Sequence, residues 1–194
     1  MTLSTLFFPA DPERSRFLLA LFMSFAADIV RCWAADSHAP YRDLGKPVLR
    51  STGAARGVPL DFAFQDRRKQ QVYGVVMFCD PLHELPLKAP EQLEPLRSAR
   101  TFSSFLDAAA NPAAYRLSVS GSEHTLGGAI LIWSSLDSKK ARAAIRKTHA
   151  LTDVLALDQI IRDLLEWQNR DFQLLIDRRA AWCYDFFRGL RQLK

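Results

Sequence analysis

Leu18, Leu21, Phe22, Phe25, Ile29, Cys32 and Trp33 recur at three- and four-residue intervals, the stripe of one buried face of a long helix. Asp11 before Pro12 predicts its start, and Ser37–Pro40 its end. Three β-like segments follow. Lys46–Arg50 is the first, and the loop Ser51–Gly57 leads to the second, Pro59–Gln65. There Leu60, Phe62 and Phe64 alternate with Asp61 and Ala63, predicting a strand with two unlike faces. Asp66–Lys69 makes a charged hairpin tip, and Val72–Cys79 is apolar almost throughout, as a central strand covered on both faces must be. The hairpin Pro59–Gln65/Gln71–Cys79 is therefore expected at the centre of the fold.

Asp80–Pro95 carries Pro81, Pro86, Pro90 and Pro95 and is expected to be irregular. A helix is predicted around Arg97–Ala110, with Phe102, Phe105 and Leu106 inward and Asn111-Pro112 as its stop. Tyr115–Val119 reads equally as a short strand or an approach segment. Gly128–Ser134 is a second buried strand, Ser138–His149 a basic helix, and Val154–Leu157 a short edge strand. Asp158 caps a helix through Trp167, and Phe172, Leu175, Ile176, Cys183, Phe186, Phe187 and Leu190 mark a last amphipathic helix. With no repeat and no linker, residues 1–194 read as a single α/β domain. Its core spans about 13–134, and a helical C-terminal extension spans about 137–194.

Composition narrows this picture. In 194 residues, 48% hydrophobic and 24% charged, a core can form without disulfide or metal staples. Cys32, Cys79 and Cys183 are far apart and sit in apolar runs, which predicts buried free thiols in a reducing, cytoplasmic setting. Arg14–Arg16 followed by Phe17–Met23 imitates a signal peptide, but the helical stripe runs through the supposed cleavage site, and Asp11 and Glu13 precede it. Asp28 and Arg31 within Phe17–Ala35 argue against a membrane span. A net charge of +5 permits binding to nucleic acid or other anionic surfaces without demanding it.

The order helix, three strands, helix, strand, with Asp61 in Pro59-Leu60-Asp61-Phe62 and an apolar strand after a tight hairpin, resembles the PD-(D/E)XK nuclease superfamily, over roughly Glu13–Ser134. The resemblance implies a restriction-endonuclease-like αβββαβ core, with a mixed sheet flanked by helices. It also implies that Asp61 is the first metal-binding acid and Asp28 an auxiliary acid. Active members add an acid-x-lysine on the third strand, because hydrolysis needs several hard oxygen ligands for Mg²⁺ and a cation near the developing charge. Here those two places hold Val76 and Phe78. A silent nuclease-like protein needing no cofactor is therefore expected. The alternative is an active Mg²⁺-dependent enzyme in which Asp80, just past the third strand, or Glu84 beyond it has joined Asp61 at the metal.

The remaining chemistry is electrostatic. Lys139, Lys140, Arg142, Arg146 and Lys147 crowd the basic helix, and Lys139, Arg142 and Arg146 fall on one helical stripe able to straddle phosphates. Arg67, Arg68 and Lys69 make a second basic spot at the hairpin tip. His38, His83, His124 and His149 are scattered, with no HExxH spacing, and Gly53–Gly57 lacks the Lys-Ser/Thr ending of a P-loop. Trp182 and Tyr184 cannot both share the inward face with Cys183 and Phe187, so a homodimer or partner surface on the last helix is a further expectation. The chain thus reads as a nucleic-acid-associated or subunit-binding module, with a purely protein-binding role beside it.

Overall fold

The computed structural model describes residues 12–79 and 86–192. It is an α/β arrangement around an eight-stranded mixed sheet. Helix α1 (Pro12–Ala35) buries Ala26, Ile29, Val30, Trp33 and Ala34 against one face. The strands are β1 (Tyr41–Asp43), β2 (Pro47–Ser51), β3 (Val58–Pro59), β4 (Phe62–Asp66) and β5 (Val72–Phe78), then β6 (Tyr115–Val119), β7 (Ser122–Trp133) and β8 (Asp153–Ala156). Their spatial order is β1-β4-β5-β7-β6-β2-β3, with β8 on β7 as well. β1, β4 and β5 are successive antiparallel neighbours, whereas β5 and β8 both run parallel to β7.

The expected central hairpin forms, with Phe62 opposite Val75 and Gln65 opposite Val72. Its apolar strand alternates between two cores. Val72 and Val76 join Phe102, Phe105 and Leu106 of α2 (Arg100–Ala110) on one side. Tyr73, Val75, Met77 and Cys79 join α1 and α4 (Leu157–Glu166) on the other. Burial on both faces explains the near-continuous apolar run.

Several sequence expectations change. The strand beside β4 is β1, which forms between the helix exit at Ser37–Pro40 and the first expected strand; β2 forms close to Lys46–Arg50 but pairs with β6 and β3. Tyr115–Val119 is a strand, and the buried strand expected at Gly128 begins at Ser122. β7 is long enough to serve two partners besides β5, antiparallel β6 along its first part and parallel β8 along its last. Gly128, at φ +144°, lies at the changeover, where a Cβ would run into the Thr152 hydroxyl. The alternation expected in Pro59–Gln65 also breaks. The chain bends at Asp61, so Leu60 and Ala63 enter the α2-side core while Phe62 and Phe64 enter the other.

The proline-rich stretch is not irregular throughout: a 3₁₀ helix (Pro90–Ser98) takes in Pro90 and Pro95 and leads into α2. α3 (Lys139–Thr148), capped by Ser138 accepting the Ala141 N–H at 3.1 Å, leads back to β8. α5 (Arg170–Gln192) is the last described element, burying Phe172 beside α1. The side chains of Leu18, Leu21 and Phe22, and of Phe186, Phe187 and Leu190, lie outside the described set. No helix among the described residues is long and apolar enough to cross a membrane.

Candidate functional site

Asp61 stands just before β4, where the bend turns its carboxylate toward β5. Its own N–H donates to the Val75 carbonyl at 3.1 Å, and its Oδ2 accepts the Met77 N–H at 2.7 Å. β4 supplies no backbone acceptor this far along β5, so the side chain completes the ladder. Lys46 was not singled out from sequence. The bonds Leu60 N–H to Pro47 O (3.0 Å) and Ala63 N–H to Gly45 O (2.9 Å) lay residues 45–47 beside 60–63, which brings Lys46 alongside Asp61. Burial pushes the Asp61 carboxyl above its ordinary value, against the Met77 hydrogen bond and the Lys46 charge, which pull it down.

The rest of this neighbourhood is apolar. Val76 is buried in the α2-side core, and Phe78 stacks on Trp133 with ring centroids 4.9 Å apart. Cys79 is 2% exposed, and burial, with a contribution from the Asp61 charge, pushes its thiol up to about 12. A thiol held that high is a packing group rather than a nucleophile. Asp28 does not face an open site: Arg31 Nη1 donates to its Oδ1 at 2.8 Å, and Arg179 Nη2 of α5 takes its Oδ2. Asp80 and Glu84 lie outside the described residues. Among the described residues, no group of three His, Cys, Asp or Glu side chains is placed to hold a metal ion.

The two basic clusters divide into free and engaged cations. Lys139, Lys140 and Lys147 are exposed on α3, with no ion-pair partner among the described residues. Arg142 and Arg146 turn instead to Asp153 at the start of β8. Arg142 Nη2 reaches Asp153 Oδ1 at 2.7 Å, and Arg146 Nε lies 3.9 Å from the same oxygen. At the hairpin tip, Arg67 is a structural tie, donating from Nη2 to the carbonyls of Ala34 (3.0 Å) and Asp36 (2.9 Å) at the end of α1. Arg68 and Lys69 alone stay exposed there, on a turn closed by Asp66 Oδ1 accepting both their N–H groups at 2.8 Å.

A cavity of about 280 Å³ opens at the C-terminal ends of β7 and β8, between the first turns of α3 and α4. Lys139, Arg142, Arg162 and Asp158 line it above a floor of Trp33 and Leu155. Its charges are largely matched: Arg162 pairs with Asp158 at 3.0 Å, and Trp33 Nε1 donates to Asp163 at 3.0 Å. No family model, curated protein or solved structure matches this chain.

On α5, Leu174 and Trp182 are about half exposed and Tyr184 two-thirds exposed, with Trp182 and Tyr184, two residues apart, on different sides of the helix.

Proposed function

We propose that this chain is a non-cleaving, nuclease-like module that associates with nucleic acid through the phosphate backbone. The observation that carries the reading is the state of β5. Val76 is buried in the core and Phe78, half-buried, stacks on Trp133 where a nuclease would present its acid and its lysine, and one oxygen of the Asp61 carboxylate is engaged by a backbone N–H. The strand path supports a nuclease-like ancestry: α1, an antiparallel β1-β4-β5 series, α2, then β7 parallel to β5. Binding rests on Lys139, Lys140 and Lys147, with Arg68 and Lys69 as a second point of attachment. Such contacts displace counterions and are blind to sequence.

Filter binding of a short DNA duplex and of an RNA strand across a salt series tests the proposal. Affinity is expected to fall linearly in log–log form, and Lys139→Gln with Lys140→Gln to flatten the slope by about 0.9 for each duplex phosphate that is no longer neutralised. No retention even at low salt would remove the reading. Incubation with Mg²⁺ or Mn²⁺ is expected to leave the duplex intact. Cleavage abolished by Asp61→Ala would instead establish the active alternative.

A second reading, subunit binding through α5, is favoured by the exposed Leu174, Trp182 and Tyr184. Light scattering decides it: a dimer that Tyr184→Asp dissociates supports it, and a monomer at high concentration counts against it.

A further inference from the structure

We propose that Asp153 is a built-in competitor for phosphate, occupying Arg142 and Arg146 until a polyanion displaces it. The inference rests on the phosphate-binding reading above and adds its regulation. Asp153 begins β8, which hydrogen-bonds within the sheet only to β7, and α3 packs beside that strand. Its Oδ1 accepts from Arg142 Nη2 at 2.7 Å and Nε at 3.2 Å, lies 3.9 Å from Arg146 Nε, and takes the Val154 N–H at 2.8 Å. Its Oδ2 accepts the Tyr41 hydroxyl at 3.4 Å.

The acid is anchored and the arginines are not. The Asp153 side chain is 15% exposed, against 40% for Arg142 and 48% for Arg146. Lys139, Arg142 and Arg146 occupy one stripe of α3, so the unpaired lysine and the two engaged arginines face the same approach. A guanidinium presents the same donor fork to a carboxylate and to a phosphodiester. A phosphate arriving at Lys139 would therefore exchange with Asp153 for Arg142 rather than meet an open cation. Three lysines bind freely, and two arginines are held in reserve. Asp153 also accepts the Val154 N–H, a structural role that would leave the salt dependence of binding untouched.

The experiment compares the full chain with Asp153→Asn and with Asp137→Asn. The control removes the same charge from an exposed acid just before α3. Each is titrated with a DNA duplex and with inorganic polyphosphate. Asp153→Asn is expected to bind both several-fold more tightly, with a duplex salt slope steeper by roughly one to two as the arginines are released. Asp137→Asn is expected to keep the native slope. Equal gains in both variants, or no gain in a folded Asp153→Asn, would overturn the proposal. A gain on polyphosphate with no duplex binding by any variant would remove the nucleic-acid reading and leave the competitor standing. Should circular dichroism find Asp153→Asn unfolded, the pair Arg142→Gln/Arg146→Gln reads the same point. It is expected to weaken polyphosphate binding by less than Lys139→Gln/Lys140→Gln does, because each arginine contact with phosphate is offset by the lost pairing with Asp153. An equal weakening by the two pairs overturns the inference.

Discussion

Asp61 takes the Met77 N–H at 2.7 Å at the point where β4 has already bent away from β5. Removing that acceptor strands a half-buried backbone donor, so Asp61→Ala is expected to cost about 1–3 kcal/mol in urea unfolding. Asp61→Asn keeps an acceptor and discards the desolvated charge. Because burial raises this carboxyl above 3.8, the folded state favours its protonated form. The favourable contribution is therefore present at low pH and lost as pH rises through the raised value. Stability of the native chain relative to Asp61→Asn should fall over that window. Asp66 behaves in the opposite sense, since the Lys69 N–H, ahead of the Arg68 N–H and both cationic side chains, holds it below 3.8. Its contribution is present at neutral pH and lost as pH falls through the lowered value. Asp61 was legible as a special residue because an acid interrupts an apolar strand. Its partner was not, because the Met77 N–H and Lys46 meet it only through strand pairing.

Among the elements, the hairpin tip and α3 separate charge from availability. Both were readable as basic runs, yet sequence carries no information about which cations are already engaged. Arg67 closes the end of α1 through the carbonyls of Ala34 and Asp36. Arg67→Ala should therefore cost about 1–3 kcal/mol of stability, as the loss of a half-buried, hydrogen-bonded cation does, with nucleic-acid affinity unchanged. Arg68→Ala should do the reverse: thermal unfolding stays at the native midpoint while the salt dependence of binding weakens. β7 shows a different kind of gap. Its apolar second half was plain, but its first half, from Ser122, is exposed at most positions and resembles a loop. Only the turn into β6 makes it a strand. Gly128 is where the two halves meet, and Gly128→Ala is expected to lose at least about 2 kcal/mol, from a left-handed backbone and an overpacked Thr152 side chain. A lower thermal midpoint with unchanged binding is the outcome to measure.

Taken whole, the molecule is one sheet with a core on each face, α2 and α3 on one side and α1, α4 and α5 on the other. At this scale the expected behaviour is a single cooperative unfolding transition, with calorimetric and van't Hoff enthalpies equal, because β5 and β7 contribute to both cores. Two separate transitions would contradict it. By itself the sequence determined the class of the fold, the central hairpin, most helices and the apolar character of Val76 and Phe78. Each of these follows from periodicity or side-chain chemistry along a continuous stretch of chain. Tertiary structure alone decided that β1 rather than β2 lies beside β4, and that Asp28 is held by Arg31 and Arg179. It alone placed Arg142 and Arg146 against Asp153. Strand order and ion pairing are choices among partners distant in sequence, and hydrophobic pattern constrains which face a residue takes without naming its neighbour.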